Sequence, residues 1–118
     1  VGDWSCIYIR SQSAGSKLNY CNISGGGGGS PDYKALLMVE TGAGSPVFHA
    51  YLELNNTTFS RSQSYGIYLD QYSDSHKCYV TGGANASFSQ CASGNVAREV
   101  GGRIVGVYST LAEALAAQ

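Results

Sequence analysis

The chain has little of what a nucleic-acid-binding protein or a membrane protein needs. Only 13% of its residues are charged, and the formal net charge is −1. This argues against the clustered Lys/Arg surface of a nucleic-acid binder and against a polybasic membrane anchor. No apolar run approaches the roughly 20 residues that a membrane-spanning helix requires. The sequence therefore predicts no nucleic-acid partner and no membrane span.

Proline is scarce, and the dipeptides Asn-Gly and Asp-Gly do not occur. The chain has two prolines but 16 glycines and nine tyrosines among many Ser and Asn residues, which is typical of an all-β chain with frequent turns. A hydrophobic content of 43% argues against disorder. Because tight β-hairpins favour Asn-Gly and Asp-Gly turns, their absence argues against an antiparallel sandwich. At 118 residues the chain is expected to form one domain, residues 1–118.

No pair of cysteines has the short spacing of a metal site. Cys6, Cys21, Cys78 and Cys91 allow two disulfides in three pairings, and the sequence leaves the pairing open. The alternative is that the thiols are small buried groups in a core. We predict no metal and no cofactor.

Two short β segments joined by a polar corner form the most informative stretch, residues 54–70. The first segment contains Asn55 and Asn56, and asparagine tolerates the backbone conformations of a sharp corner. In the second segment, Ile67 and Leu69 alternate with Tyr68, so the two aliphatic side chains are expected inside and the tyrosine outside. Such pieces indicate a chain that bends every few residues.

Similar segments recur along the chain. Residues 6–9 are similar to residues 66–69 and, more loosely, to residues 35–38, while residues 21–26 are similar to residues 78–83. An irregular period with loops of varying length favours a parallel β-solenoid, in which each coil adds one strand to each sheet. The glycine run Gly25 to Gly29 lacks the pattern of a phosphate-binding loop and is interpreted as a flexible surface excursion.

The succession GDW-x-x-IYI, LNYCNI-SGGG and LNNTTFSRSQSYGIYL resembles the right-handed parallel β-helix regions of secreted and cell-surface bacterial proteins, the pectate-lyase-like solenoid superfamily. The resemblance implies an all-β fold, a short right-handed parallel β-helix of about four coils over residues 2–108. A disulfide-bonded β-sandwich remains the alternative. The resemblance also implies an inward-facing set: Ile7, Ile9, Leu18, Ile23, Leu54, Phe59, Ile67, Leu69, Val80 and Phe88.

The C-terminal residues 110–118 predict a capping helix. Thr110 and Glu113 form a capping box, and Leu111, Ala114 and Leu115 follow helical spacing. Ahead of Trp4 there is no room for a corresponding helix, so the first coil is expected to expose its edge and one side of Trp4. We therefore expect the chain to be part of a longer β-helix or of an end-to-end assembly.

The tyrosines and a few acids are the candidate ligand contacts. Tyr8, Tyr68 and Leu37 are expected at the outward position of one strand family, and Asp70 and Asp74 form the one local acidic cluster. Outward aromatic rings can stack on sugars or contact proteins. The candidate ligand-binding set is Tyr8, Tyr68, Asp70 and Asp74, and no catalytic residue is assigned.

The expected function is that of a non-catalytic structural or adhesive module. It would be secreted or at the cell surface, and its partners would be neighbouring β-helix coils or further copies of the chain. The alternative is a β-helix domain that binds or cleaves a polysaccharide, since many β-helix proteins are polysaccharide lyases or hydrolases.

Overall fold

The computed structural model describes residues 4–11, 15–28, 33–43 and 48–118. These residues are mostly β, with one short C-terminal helix, so the all-β class is confirmed. Gly29 and the first two residues of the predicted coil region lie outside the described residues. The elements are β1 (Ile7–Arg10), β2 (Lys17–Asn19), β3 (Asn22–Ser24), β4 (Ala35–Glu40), β5 (Ala50–Asn55), β6 (Thr57–Ser62), β7 (Tyr65–Gln71), β8 (Cys78–Thr81), β9 (Ala86–Cys91), β10 (Gly94–Val100), β11 (Arg103–Tyr108) and α1 (Leu111–Ala116).

The strands form three sheets. Sheet A has the order β1-β4-β7-β10-β11, sheet B the order β2-β5-β8 and sheet C the order β3-β6-β9. Every pair is parallel except β10 with β11, which is antiparallel. Successive strands enter sheets A, B and C in turn, and the cycle is completed three times before β10 returns to sheet A. Strand β10 is one that the sequence analysis missed.

One hydrophobic cluster joins the inner faces of all three sheets. In sheet A the register places Ile7 beside Leu37, Leu37 beside Ile67, and Ile67 beside Val96. In sheet C, the rings of Phe59 and Phe88 stack with their centroids 5.5 Å apart. Leu37 therefore faces inward, and its predicted outward position is wrong. All ten residues that the resemblance placed inside belong to this cluster, five fully buried and five packed against it.

The corners between sheets use the same backbone conformation in each repeat. The predicted corner at Asn55 and Asn56 is confirmed, because Asn56 has a φ of 45° and lies between β5 and β6. Residues other than glycine rarely adopt a positive φ. The recurrence of positive φ at equivalent positions therefore marks where the chain bends in each repeat. The two sets of equivalent positive-φ positions are Tyr20, Asn56 and Ala84, and Gly25, Arg61 and Gln90.

The glycine run is packed, so its interpretation as a flexible surface excursion is wrong for the described Gly25 to Gly28. Gly25, Gly26 and Gly27 are buried, and the Gly27 amide donates to the Ser5 carbonyl at 2.7 Å. The indole of Trp4 donates to the Ser24 carbonyl at 2.8 Å. Glycine is needed at position 26 because the indole lies directly on its backbone: a Cβ on Gly26 would be 2.7 Å from the ring. Trp4 is accordingly half-buried, with its indole packed on the glycine run.

The C-terminal part reverses direction and ends in the predicted helix. Gly101 and Gly102, with φ values of 59° and 87°, form the turn between β10 and β11, so a hairpin forms without Asn-Gly or Asp-Gly. Helix α1 is capped by Thr110, whose hydroxyl accepts from the Glu113 amide at 3.2 Å. Leu111 and Ala114 pack into the core cluster. No helix among the described residues is long and apolar enough to cross a membrane.

The contact between Trp4 and Gly26 predicts a substitution that overpacks the first turn of the structure. Gly26→Ala should lower the free energy of unfolding by about 1–3 kcal/mol, because the added methyl group meets the indole. In a Trp4→Ala background the same substitution should cost much less, since the ring is gone. Urea denaturation of the four variants measures the coupling. An equal cost in both backgrounds would contradict this packing.

Candidate functional site

The outer face of sheet A carries two side-chain rows in register. One row is Tyr8, Met38, Tyr68 and Ala97, and the next is Arg10, Glu40, Asp70 and Glu99. Neighbouring strands are about 4.8 Å apart, so three carboxylates follow one another across β4, β7 and β10. Met38 occupies the place at which Leu37 was expected. This face is the candidate functional site.

The tyrosines of the first row are tied to the carboxylates of the second. The Tyr8 hydroxyl donates to Glu40 Oε2 at 2.7 Å, and the Tyr68 hydroxyl donates to Glu99 Oε1. Burial, together with the hydrogen bond to the neighbouring carboxylate, raises the pKa of both phenols well above its usual range. Both hydroxyls therefore remain protonated donors at any physiological pH.

Two basic side chains lie over the tyrosine rings and against the carboxylates. The Arg10 guanidinium carbon is 4.7 Å from the centre of the Tyr8 ring, and its Nε is 3.9 Å from Glu40 Oε1. The Lys34 Nζ is 5.2 Å from the centre of the Tyr68 ring and 3.3 Å from Glu99 Oε1. The face thus combines cation–π contacts with ion pairs, with Arg10 beside Glu40 and Lys34 beside Glu99.

The carboxyl groups of Asp70 and Glu99 are pushed in opposite directions. Burial, with the nearby charges of Glu99 and Glu40, raises the pKa of Asp70 to about 7. Burial would also raise the pKa of Glu99, but hydrogen bonds from Tyr68, Lys34 and Asp70 and the charge of Lys34 lower it. Below pH about 7, Asp70 is therefore a neutral hydrogen-bond donor beside an ionised Glu99.

An open cleft of about 1030 Å³ lies over the charged row, where the strands of sheet A end. Its floor contains Arg10, Glu40, Asp70 and Glu99, and its wall includes the exposed ring of Tyr72 and the Gly101–Gly102 turn. Two smaller hollows adjoin the same rows, one next to Tyr8 and Lys34 and one next to Tyr65 and Tyr68. Polar groups of both signs therefore converge on a surface large enough for several sugar rings.

Three of the four predicted ligand contacts lie together on this face. Tyr8 and Tyr68 lie in one row with Met38 between them, and Asp70 follows Tyr68 by two residues on β7, in the next row. Tyr68 faces outward as expected, but it is only 1% exposed, because Lys34 and Tyr65 pack over its ring. Asp74 lies apart from this face, exposed in the loop between β7 and β8.

The sequence analysis missed four residues of the site: Arg10, Lys34, Glu40 and Glu99. A signal for three of them is present in the sequence. Aligning Ile-Tyr-Ile-Arg10, Leu-Met-Val-Glu40, Ile-Tyr-Leu-Asp70 and Val-Ala-Arg-Glu99 places a charged residue at the fourth position each time. The looser alignment used above was shifted by one residue at β4, which concealed Glu40.

All four cysteines are free thiols in the structure, so the predicted disulfide is not formed there in any pairing. Cys78 is fully buried in the core, and burial raises the pKa of its thiol to about 12. Burial likewise raises the pKa of the Cys6 thiol to about 11. Among the residues that the structure describes, no group of three or more His, Cys, Asp or Glu side chains is arranged to hold a metal ion.

Comparison with known proteins found no matching family model, no matching curated protein and no matching solved structure. The resemblance to pectate-lyase-like β-helix regions therefore remains a hypothesis based on the motifs.

The raised pKa of Asp70 predicts a pH dependence of stability. The pKa of Asp70 is raised from its ordinary value of 3.8 to about 7 in the folded chain. Between these two pH values, the Asp70 carboxyl group loses its proton in the unfolded chain and keeps it in the folded chain. The contribution of Asp70 to the free energy of unfolding therefore falls as pH rises through this window. Asp70→Asn should remove that fall, and Asp74→Asn, a change in the exposed loop, should preserve it.

Urea denaturation of the three proteins between pH about 5 and 7 measures the slope. This window lies above the ordinary glutamate value of 4.5, so the opposite contribution of Glu99, which is lost at lower pH, does not interfere. The same slope in the Asp70→Asn variant would contradict the assigned pKa.

Proposed function

We propose that this chain is an extracellular adhesive β-helix module, secreted or at the cell surface, that binds polysaccharide through the outer face of sheet A. The observation that carries the proposal is the pair of in-register rows: tyrosines hydrogen-bonded to carboxylates, with cations over their rings. The extracellular location rests on the motif resemblance alone.

The β-helix part of the proposal is supported by the strand order. Three parallel sheets receive consecutive strands in turn, corners recur at equivalent positions, and inner side chains stack in rows. These are features of a solenoid in which each coil adds one strand to each sheet. On this proposal, three full coils and a partial fourth stack in a right-handed sense, and α1 covers the last coil.

A polysaccharide is the ligand that the chemistry of the face favours. Sugar hydroxyls both donate and accept hydrogen bonds, and the face offers the carboxyl oxygens of Glu40 and Glu99 as acceptors with Arg10 and protonated Asp70 as donors. The cleft is lined by residues of β1, β4, β7 and β10, so a chain of sugars can lie across several strands. Tyr72 at its wall is 55% exposed and supplies an apolar surface for a ring.

Binding assays with cellohexaose and polygalacturonate, extended by a glycan array, test the proposal. Arg10→Ala should weaken binding about tenfold or more, since a hydrogen bond to a charged group contributes roughly 1.5–3 kcal/mol. Asp70→Ala should weaken binding about three- to tenfold, since a hydrogen bond from a neutral group contributes roughly 0.5–1.5 kcal/mol. Asp74→Ala and Arg61→Ala, exposed changes of the same residue classes outside the cleft, should leave affinity within about twofold. Equal affinity of all four variants would refute sheet A as the binding face.

An assay for reducing ends on the same polysaccharides separates binding from cleavage, which is the alternative function. The opposed pKa shifts of Asp70 and Glu99 are those of a general acid beside a carboxylate. Release of new reducing ends from a bound polysaccharide, abolished in both Asp70→Asn and Glu99→Gln, would assign cleavage. Binding without release of reducing ends supports the adhesive module.

Self-association is a second candidate function, and the exposed edge of sheet A favours it. Strand β11 pairs with β10 alone and exposes about half of each of the side chains of Ile104, Val105 and Val107. An apolar edge strand offers unpaired backbone groups to another strand. In an end-to-end assembly, the partner of this edge strand is a second copy of the chain.

Sedimentation velocity over a wide concentration range tests this candidate. The wild-type chain should form larger species as concentration rises, and Val105→Lys should shift the equilibrium to the monomer, because a charge on an edge strand opposes pairing. Thr58→Lys, an exposed change in β6, is the matched control. A wild-type monomer at every concentration would refute self-association.

A further inference from the structure

The outer face of sheet B carries a second aromatic group that the proposed function does not use. Tyr51 and Tyr79 are register partners on β5 and β8, and their rings stack with centroids 5.5 Å apart and planes 27° apart. His49 packs edge-on against Tyr79 at 5.1 Å. The His49 Nδ1 accepts from the Lys77 amide at 3.0 Å, which holds the imidazole in place.

Among the residues that the structure describes, the ring partners of Tyr51 are His49 and Tyr79, and neither belongs to β2. The register places Lys17 beside Glu53, and the Glu53 amide donates to the Ser16 carbonyl at 3.0 Å. Gly15 lies two residues before β2, and continuing the register of β2 and β5 to it would place Gly15 beside Tyr51. Among the described residues, no atom lies within 4 Å of a Cβ built on Gly15, and Tyr51 is 48% exposed. Among the described residues, no third ring continues the row of Tyr79 and Tyr51, since Gly15 has no side chain.

The next row of the same face supplies hydrogen-bonding groups. Asn19 Nδ2 donates to Glu53 Oε2 at 3.1 Å, and Asn55 Nδ2 donates to Asn19 Oδ1 at 2.9 Å. Lys17 is exposed at the same register level as Glu53. Alternate residues of a strand are about 7 Å apart, so these groups are within reach of the hydroxyls of a ring placed on Tyr51.

We propose that a single pyranose ring of a polysaccharide stacks on Tyr51 above Gly15 and hydrogen-bonds to Glu53 and Asn19. The apolar C–H face of the ring packs on the tyrosine, and its hydroxyls meet the polar row. The choice of a sugar as ligand rests on the proposed function of sheet A, but the site itself is separate, since it lies on sheet B. Two sites on different sheets would let one module bind two polysaccharide chains, or one chain twice.

Amide and aromatic NMR spectra of the full chain, titrated with cellohexaose, test the site directly. The Gly15 amide and the Tyr51 ring signals should shift on titration. Tyr51→Ala should weaken the affinity measured from those Gly15 shifts about five- to tenfold, a loss of roughly 1–1.4 kcal/mol. Tyr51→Phe, which keeps the ring, should retain affinity within about twofold. Tyr20→Ala, a change at a ring that is 80% exposed and outside the row, is the matched control.

The outcomes separate this site from the sheet A cleft. Shifts at Glu40 and Asp70 without shifts at Gly15 overturn the Tyr51 site and leave the proposed function standing. Shifts at Gly15 that persist in Asp70→Ala, without any at sheet A, support the Tyr51 site and overturn the cleft. Unchanged affinity at Gly15 in Tyr51→Ala also overturns the Tyr51 site, and no binding of the sugar overturns both.

Discussion

The parallel register of sheet A is the constraint on which the rest of the structure depends. Because β1, β4, β7 and β10 pair without offset, each residue type meets its counterpart one strand away. On the inside this stacks aliphatic side chains into one core. On the outside the same register places like charges next to one another, an arrangement that costs free energy unless the charges are compensated. The core and the candidate site therefore lie on opposite faces of sheet A, and both depend on the same register.

The compensation explains the chemistry of the site. Glu40 is neutralised by Arg10 and receives a hydrogen bond from Tyr8, while Glu99 is neutralised by Lys34 and receives one from Tyr68. Asp70 lies between the two, and burial together with the charges of Glu99 and Glu40 makes it retain its proton to near neutrality. A protonated carboxyl group at the centre of the row is thus the physical result of stacking three acids on adjacent strands.

The sequence predicted the features that depend on local pattern. The Asn55–Asn56 corner, the inward direction of Ile67 and Leu69 and the helix from Thr110 follow from turn propensity, alternation and capping, each readable within a few residues, whereas the full inward set was implied by the resemblance. The site depends on register between distant strands, and a shift of one residue conceals it. Glu99 was missed because β10 itself was missed. Arg98 lies beside inward-facing Leu69, and a charged residue at that position breaks the apolar alternation of the strand. Arg98 remains inside because its Nη1 donates to buried Gln71 at 2.7 Å.

The packing of the glycine run on Trp4 was missed for a different reason. A run of glycines gives no local indication of contact, and its use became visible only with the indole in place. Burial of Tyr68 is a similar case, since the alternation predicts its direction correctly but not the Lys34 and Tyr65 side chains that cover it.

The hairpin of β10 and β11 gives the chain an uneven folding order. Parallel partners come from distant parts of the chain, as with Tyr68 and Glu99, which are 31 residues apart, and contacts of such separation form slowly. The hairpin closes through Gly101 and Gly102 and is followed at once by α1, so this segment can assemble on the microsecond timescale of local structure. The C-terminal segment is then the fast-forming part of the molecule, onto which β7 and the earlier strands add more slowly.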